Sequence, residues 1–269
     1  MAERDFRSLC PFLIFSKILY FISFLFQIPI LNFIVFGHCR MCLFFVYSDS
    51  VRVFQIKKDR KDEFMIQTKP KEKEILYQLI NYDNNRELLE RVPHIRYLDM
   101  AIIFYYWKDR KDRSLGACIV SLAQMEEWGY TLEELEKTAA FNTPQLFQVS
   151  FQPIEELIKE MVGEELWCTE PDAPSLIPMH VLTNQSRLFG AAAILYPQVL
   201  WAISHTLQDD LYILPSSIHE CIIVPMSVKC SRKELQEIVE EINETQVPKA
   251  EMLSNHVFLY RKEKDCIEV

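Results

Sequence analysis

The sequence has very little glycine, with five residues among 269. Phosphate-binding loops need several closely spaced glycines, as in G-x-G-x-x-G, and this chain has no such cluster. It has no H-x-x-x-H or H-E-x-x-H spacing, and a single C-x-x-C pair, at Cys39 and Cys42. A structural zinc site needs a second pair of ligands at a compatible spacing. These absences predict a chain without a bound cofactor or metal ion.

Positive charge is also scarce, since the formal net charge is −9 and the isoelectric point is about 5.3. Nucleic-acid-binding domains are usually basic, so we expect no nucleic-acid partner. Apolar residues make up 49% of the chain and charged residues 25%, as in ordinary globular proteins. The eight cysteines are scattered, which indicates reduced thiols rather than a disulfide framework.

The acidic average conceals two parts of opposite charge. Residues 1–62 carry a net charge of +4, whereas residues 63–269 carry −13. Eleven of the 18 phenylalanines lie before residue 55. The sequence therefore predicts an apolar N-terminal segment at 1–62, followed by an acidic domain at 63–269.

A long uncharged run lies between Lys17 and Arg40 and covers the 22 residues 18–39. As a helix it would span roughly 33 Å, which is enough to cross the hydrocarbon core of a bilayer. Basic residues are more numerous after the run than before it. The positive-inside rule then places residues 41–269 in the cytoplasm, as the domain of a single-pass membrane protein.

Two other interpretations of residues 18–39 remain open. The surrounding stretch is dense in Phe, Ile, Leu and Tyr, which AT-rich codons supply, so it can also come from a misplaced start or a frame shift. It can also be a buried segment of a soluble protein. On either of these interpretations the protein is expected to be cytoplasmic, and only the first predicts contact with a membrane.

The acidic part shows patterns of both strands and helices. Residues 98–107 and 115–122 are two β-branched and aromatic runs around a polar turn, which predicts a hairpin. A second hairpin is predicted from residues 179–183 and 189–195. The capping boxes that begin at Thr131 and Ser231 predict two helix starts. The expected fold class is α+β, with a mixed, largely antiparallel sheet flanked by helices.

The sharpest candidate site is the stretch from Leu214 to Glu220. It places the hydroxyls of Ser216 and Ser217, the imidazole of His219 and the carboxyl of Glu220 within a few residues. A nucleophile needs a nearby base and a group that orients the base, so this set is a weak catalytic candidate. An ordinary turn is the simpler interpretation, because serine hydroxyls satisfy turn backbone and because strand geometry sends His219 and Glu220 to opposite faces.

Asn184, Asp99 and Arg96 are three further weak candidates for ligand binding. Asn184 is expected at a hairpin tip, where asparagine tolerates left-handed backbone. Asp99 interrupts a strand and would be costly if buried unpaired, so Arg96 or Arg86 is expected to pair with it. The four tryptophans are expected to be core or interface anchors.

Several short motifs follow one another between about residues 65 and 262. They are Leu79-Ile80-Asn81-Tyr82, Asn85-Arg86-Glu87-Leu88-Leu89, Val92-Pro93-His94, Leu98-Asp99-Met100-Ala101, Trp128-Gly129, Glu133-Glu134-Leu135, Thr183-Asn184, Gly190-Ala191-Ala192 and Leu214-Pro215-Ser216-Ser217-Ile218-His219-Glu220. In this order they resemble a domain-of-unknown-function family from gut anaerobic Firmicutes. The resemblance implies a cytosolic α+β domain and no established activity. This chain departs from it before residue 63, where relatives carry a soluble α/β segment.

Three functions are compatible with the sequence. The first is a non-enzymatic module that binds an unidentified protein or small molecule, because no complete catalytic or cofactor motif is present. The second is a hydrolase or transferase that uses His219 with Ser216 or Ser217. The third is a structural protein tethered to a membrane through residues 18–39.

Overall fold

The computed structural model describes residues 75–109, 115–162, 178–215, 217–228, 230–245 and 247–269. Ten strands are found in these residues: β1 (Ile75–Asn81), β2 (His94–Tyr97), β3 (Met100–Asp109), β4 (Leu115–Ile119), β5 (Val149–Pro153), β6 (His180–Asn184), β7 (Leu211–Leu214), β8 (Cys221–Pro225), β9 (Phe258–Arg261) and β10 (Cys266–Glu268). The α-helices are α1 (Arg86–Leu89), α2 (Leu122–Trp128), α3 (Leu132–Leu146), α4 (Ile154–Val162), α5 (Val199–Leu207) and α6 (Arg232–Thr245). Short 3₁₀ helices cover Asp83–Asn85 and Gly190–Leu195.

The first sheet has four strands, with β3 paired to β1, β2 and β4. The predicted hairpin of β3 and β4 is confirmed, with Tyr105 opposite Ile119. The free edge of β1 is covered by helix α3, whose side chains bond its backbone. The Tyr77 N–H donates to Thr143 Oγ1 at 3.1 Å, and Asn142 Nδ2 donates to the Ile75 carbonyl at 3.0 Å. An uncovered strand edge invites pairing with another chain, and α3 prevents it here.

The second sheet has six strands in the order β10-β9-β7-β8-β6-β5. Every strand pairing in the described residues is antiparallel. The predicted α+β class with antiparallel strands and flanking helices is therefore confirmed. The expectation of one mixed sheet was wrong, since the strands divide into two sheets and none of these pairs is parallel.

The largest hydrophobic core draws on both sheets. It combines apolar residues of β1 and β3 with Leu182, Ile213, Ile223 and Phe258 of the second sheet. Helices α2, α3 and α5 and the 3₁₀ helix Gly190–Leu195 add to the same cluster. The opposite face of the second sheet packs against α4 and α6 in a separate core. Successive side chains of a strand point to opposite faces of the sheet, so the strands of the second sheet contribute to both cores.

The predicted helix starts are confirmed at both capping boxes. Thr131 Oγ1 accepts from the Glu134 N–H at 3.2 Å, and the Glu134 carboxylate accepts from the Thr131 N–H at 2.8 Å. Ser231 and Glu234 make the same reciprocal pair at the start of α6. Each box satisfies two backbone donors that the first helical turn leaves unpaired. These local signals therefore fixed the beginnings of α3 and α6.

The second predicted hairpin was wrong. Residues 189–195 do not form a strand, because the chain enters a 3₁₀ helix after Phe189, which has left-handed backbone at φ 54°. The partner of β6 on one side is instead β5, with Phe151 opposite Leu182. The run Gly190-Ala191-Ala192-Ala193 is fully buried, and its small side chains suit a tightly packed 3₁₀ turn better than a strand.

Several predictions fall outside the described residues. They are the membrane run at 18–39, the pair Cys39 and Cys42, and the segment 1–62. Among the helices that the structure describes, none combines the length and the apolar character that crossing a bilayer would require. The membrane contact, the localisation and the boundary at residue 63 stay predictions.

Candidate functional site

Three of the sequence motifs meet at one junction. Thr183 at the end of β6 donates its hydroxyl proton to the His219 carbonyl at 2.7 Å. Gly190 fits between these segments, since a Cβ added there would lie 2.1 Å from Thr183 Oγ1 and 2.5 Å from the His219 oxygen. The Ala191 N–H donates to the Ile218 carbonyl at 3.3 Å. The junction is therefore too tight for any residue but glycine at position 190.

The imidazole of His219 is held inside this junction. Its ring stacks on Phe189, with the ring centroids 5.9 Å apart and the planes 12° from parallel. The Phe189 N–H donates to His219 Nδ1 at 3.3 Å. Nδ1 is therefore an acceptor, and a neutral ring carries its proton on Nε2. Burial lowers the pKa of His219 to about 4, so the ring is uncharged near neutral pH.

The carboxyl group of Glu220 is buried on the other side of the chain. Its side chain is 1% exposed, and Oε2 has no hydrogen-bond partner. Burial raises the pKa of Glu220 to about 8, the Ser217 hydroxyl partly opposes this, and nearby Glu251 adds to it. The group is therefore mostly protonated at neutral pH, which avoids a charge in the interior.

The serine, histidine and glutamate of this turn do not form a catalytic relay. Ser217 Oγ accepts from the His219 backbone N–H at 3.0 Å rather than from the imidazole. No hydrogen bond in the described residues joins the His219 ring to Ser217 or to Glu220. Ser216 lies outside those residues. Ser217 Oγ and His219 Nδ1 each accept a hydrogen bond from a backbone N–H, as polar groups do in a packed turn.

Asn184 organises the turn that follows β6. Its Oδ1 accepts from the Ser186 hydroxyl at 2.8 Å and from the Leu188 N–H at 3.3 Å, and its Nδ2 donates to the Leu188 carbonyl at 2.8 Å. The residue is 2% exposed. Left-handed backbone is found at Arg187 and Phe189 instead, not at Asn184. The amide is thus engaged within its own loop.

Asp99 finds a different partner from the one the sequence suggested. Its Oδ2 lies 2.8 Å from His256 Nδ1 and accepts from the Ser254 hydroxyl at 2.7 Å. The expected pairing with arginine was wrong, because Arg86 pairs with Asp83. Arg96 lies over the Tyr82 ring, with its guanidinium carbon 4.6 Å from the ring centroid. Asp99 therefore ties the turn between β2 and β3 to the loop that precedes β9.

A cavity of about 250 Å³ includes none of these candidates in its lining, although its lining residues Tyr97 and Tyr196 adjoin Arg96 and Asn184. Four aromatic residues line it: Tyr97, Tyr196, Trp201 and Tyr260. The remaining lining comes from Ile194, Gln198, Leu200, Asp265, Cys266 and Ile267. It lies where the end of β2, the segment from the 3₁₀ helix to α5, and the β9–β10 hairpin come together. Trp201 is 44% exposed, so part of its ring is open to solvent or to a ligand.

Tyr196 lines the cavity but is only 5% exposed, and its hydroxyl is buried. The ring of Tyr77, which is not part of the lining, packs edge-on against the Tyr196 ring with the centroids 6.4 Å apart. Burial raises the pKa of Tyr196, and a hydrogen bond with the Asn184 side chain partly opposes this effect. The Tyr196 hydroxyl is therefore engaged within the protein.

The charged groups at the rim are mostly paired with one another. Arg261 contacts Asp210 at 2.9 Å and Glu268 at 3.2 Å, and Lys264 contacts Glu268 at 2.7 Å. Asp265 accepts a hydrogen bond from the Tyr260 hydroxyl. No ion pair joins Asp265 to a basic side chain in the described part of the chain. The carboxylate of Asp265 is therefore the uncompensated charge on the cavity lining.

The sequence did not point to this cavity. Its lining residues come from five elements and the turns between them, and they share no spacing, so no motif could bring them together. The elements are β2, the 3₁₀ helix Gly190–Leu195, α5, β9 and β10. The cluster of Tyr260, Asp265 and Cys266 spans a β-turn, and Trp201 follows Tyr196 by five positions. The available signal in the sequence was a tryptophan on the polar side of an amphipathic helix, where the side chain is expected to be partly exposed. Among the described residues, no group of three or more His, Cys, Asp or Glu side chains is arranged to hold a metal ion.

Comparison with known proteins finds one family. The model of a family of unknown function, DUF5688, matches residues 41–262. The match includes the candidate residues between Arg96 and Glu220. It begins at residue 41, so the expectation that the chain departs from the family before residue 63 was wrong for residues 41–62. No curated protein and no solved structure matches the chain. Since the matched residues make up most of its length, the chain belongs to the DUF5688 family of unknown function.

Proposed function

We propose that this protein is a non-enzymatic binding module whose ligand is a small molecule held in the aromatic cavity. The observation that carries the proposal is the cavity of about 250 Å³ with four aromatic side chains in its lining. Ligand sites are typically concave and mostly apolar, with a few polar groups that orient the ligand. Here the polar groups are Gln198 and Asp265.

The size of the cavity limits the ligand. Pockets for drug-sized ligands usually enclose roughly 300–1,000 Å³. A cavity of about 250 Å³ is slightly smaller, so it suits a compact metabolite rather than a dinucleotide or a peptide. The absence of a glycine-rich loop in the sequence agrees with this.

A binding role is also favoured over the hydrolase hypothesis by the geometry around His219. A general base must reach the proton that it removes, at about 2.6–3.2 Å or through one water. The imidazole of His219 is packed against Phe189 and accepts from a backbone N–H. No contact of the Ser217 turn in the described residues indicates a nucleophile there, so binding is the function that we propose.

The test is a fragment screen on the full chain by saturation-transfer NMR, with neutral, anionic and cationic fragments of fewer than about 15 heavy atoms. Fragments that bind the wild type are then tested on Ile267→Trp, which fills the cavity from its edge. The matched control is Ile95→Trp, at another partly buried isoleucine packed against the same core but outside the cavity lining. Circular dichroism checks that both variants are folded.

We expect binding fragments to lose their signal with Ile267→Trp and to keep it with Ile95→Trp. If no fragment binds the wild type at millimolar concentration, the cavity does not serve as a ligand site. Fragments that bind both variants equally would place the binding site elsewhere and would overturn the proposal in the same way.

A further inference from the structure

The lining of the aromatic cavity differs from an ordinary apolar pocket in its charge. It has four aromatic rings and one carboxylate, that of Asp265. No lysine, arginine or histidine is among the described residues of the lining. An anionic ligand would therefore meet a carboxylate and no cation, which is unfavourable.

No basic residue next to the cavity forms an ion pair with Asp265 in the described part of the chain. Arg261 and Lys264 precede Asp265 in the same hairpin, and they contact Asp210 and Glu268. The Lys262 ammonium donates to Gln208 Oε1 at 3.4 Å. Tyr260 holds one oxygen of Asp265 through its hydroxyl, which fixes the carboxylate at the lining. The net charge of −9 on the whole chain adds to the attraction for a cation.

Aromatic rings supply the second part of a cation site. The face of a tryptophan or tyrosine ring is electron-rich, and it attracts an ammonium group within about 6 Å of its centroid. Quaternary ammonium groups suit such sites, since they are weakly hydrated and fill space as an apolar group does. Trp201, the ring type with the strongest effect, is 44% exposed. One face of its ring is stacked on His205 with the centroids 3.9 Å apart, so a cation would meet the other face.

We infer that the cavity binds a small organic cation, with an alkylated ammonium group among the aromatic rings and the charge balanced by Asp265. This inference rests on the proposed function and names the chemical class of its ligand. Gln198, which also lines the cavity, is then available to bond a polar group elsewhere on the ligand.

The probe pair is choline and 3,3-dimethyl-1-butanol, in which a carbon atom replaces the nitrogen. The two have the same shape and differ in charge. Isothermal titration calorimetry on the full chain measures both. We expect choline to bind at least tenfold more tightly than the neutral alcohol, and to bind less tightly as sodium chloride is raised.

Asp265→Asn tests the role of the carboxylate. The amide oxygen of asparagine can still accept from the Tyr260 hydroxyl, so the fold of the hairpin is retained. The matched control is Glu263→Gln, which removes the same charge from an exposed residue of the same turn outside the lining. We expect Asp265→Asn to weaken choline binding at least fivefold, to leave the alcohol unchanged, and Glu263→Gln to have little effect.

The outcomes separate this inference from the proposed function. If the alcohol binds as tightly as choline, or if both acidic variants lose the same affinity, the cation inference is overturned while a small-molecule site remains. If neither probe binds but other fragments do, the ligand class is wrong and the binding function stands. If no fragment and no probe binds, both are overturned.

Discussion

Gly190 shows how strongly a single residue constrains the junction of motifs. Two of the three atoms that an added Cβ would meet belong to the backbone of His219 and Asn184, and backbone cannot rotate away. We expect Gly190→Ala to lower the free energy of unfolding by about 3 kcal/mol or more. The measurement is the urea midpoint of the full chain, followed by circular dichroism.

The matched control for this substitution is Gly129→Ala. Gly129 has a φ of 69°, and a Cβ there meets nothing within 4 Å. That variant pays only for left-handed backbone, about 1–2 kcal/mol. A loss at Gly190 no larger than the loss at Gly129 would show that the junction relaxes easily, and that the tight packing is not needed.

Two titratable groups at the same turn give opposite dependences on pH. The pKa of Glu220 is raised to about 8. Its contribution to the free energy of unfolding is therefore present below the pKa that Glu220 has in the unfolded chain, and it is lost as the pH rises through 8. The pKa of His219 is lowered to about 4, so its contribution is present above the unfolded value and is lost as the pH falls through 4. In acid, Glu220 and His219 change the free energy of unfolding with pH in opposite directions. Above about pH 6.5 the change due to Glu220 is the larger one.

Glu220→Gln isolates the effect of this carboxyl, because glutamine has the shape of the protonated acid and cannot ionise. We expect the wild type to lose stability relative to the variant as the pH rises from about 5 to about 8, by at most about 1.4 kcal/mol per pH unit. Urea unfolding at five pH values measures this. Glu244→Gln, at an exposed position, is the control, and a difference that is flat with pH for Glu220→Gln would contradict the prediction.

At the scale of elements, the Thr143 hydroxyl is one of two side-chain groups that bond helix α3 to strand β1. Thr143 Oγ1 donates to the Ala139 carbonyl at 2.7 Å and accepts from the Tyr77 N–H of β1 at 3.1 Å. Thr143→Val keeps the shape and leaves that buried N–H without an acceptor. We expect a loss of about 1–3 kcal/mol in the free energy of unfolding.

Thr206→Val on α5 is the matched variant for this coupling. Thr206 Oγ1 also donates to the carbonyl four residues earlier, Ala202, but the residue is exposed and bonds no strand. We expect this change to cost less than about 0.5 kcal/mol. Equal losses at the two threonines, measured by the same urea titration, would mean that the bond to Tyr77 adds nothing.

The elements that the sequence predicted correctly are those with local causes. The capping boxes at Thr131 and Ser231 and the hairpin of β3 and β4 depend on residues within a few positions of one another. The missed elements depend on distant partners. Strand β2 has four residues and β10 has three, and each exists because a neighbouring strand pairs with it. The 3₁₀ helix after Phe189 depends on the space left beside His219 and Thr183.

The candidate site shows the same limit at the scale of the whole molecule. The Ser217 and His219 cluster was visible in sequence because its residues are neighbours, and the structure shows them bonded mainly to backbone. The aromatic cavity was invisible, since Tyr97 and Tyr260 lie more than 160 positions apart. Sequence reasoning therefore found the tightly packed junction at Gly190 and missed the cavity at which we propose ligand binding.

One property of the whole molecule concerns residues outside the described part. The 22 uncharged residues 18–39 are long enough for a membrane helix, and the family match begins after them, at residue 41. A membrane anchor would fix the cavity near a bilayer and would change which ligands reach it. Anchoring and ligand binding are compatible, because they use different parts of the chain.

We expect the full chain to stay with the membrane pellet after carbonate washing. Replacing Leu25 with Arg and Ile28 with Asp should release it, since each charge at the centre of a span costs about 2.5–3.5 kcal/mol. The control places the same pair of charges at Leu122 and Leu132, two apolar residues that are 42% and 38% exposed in the described domain. That control should remain in the pellet. Wild-type protein in the soluble fraction would exclude the anchor and leave residues 18–39 without a role at the membrane.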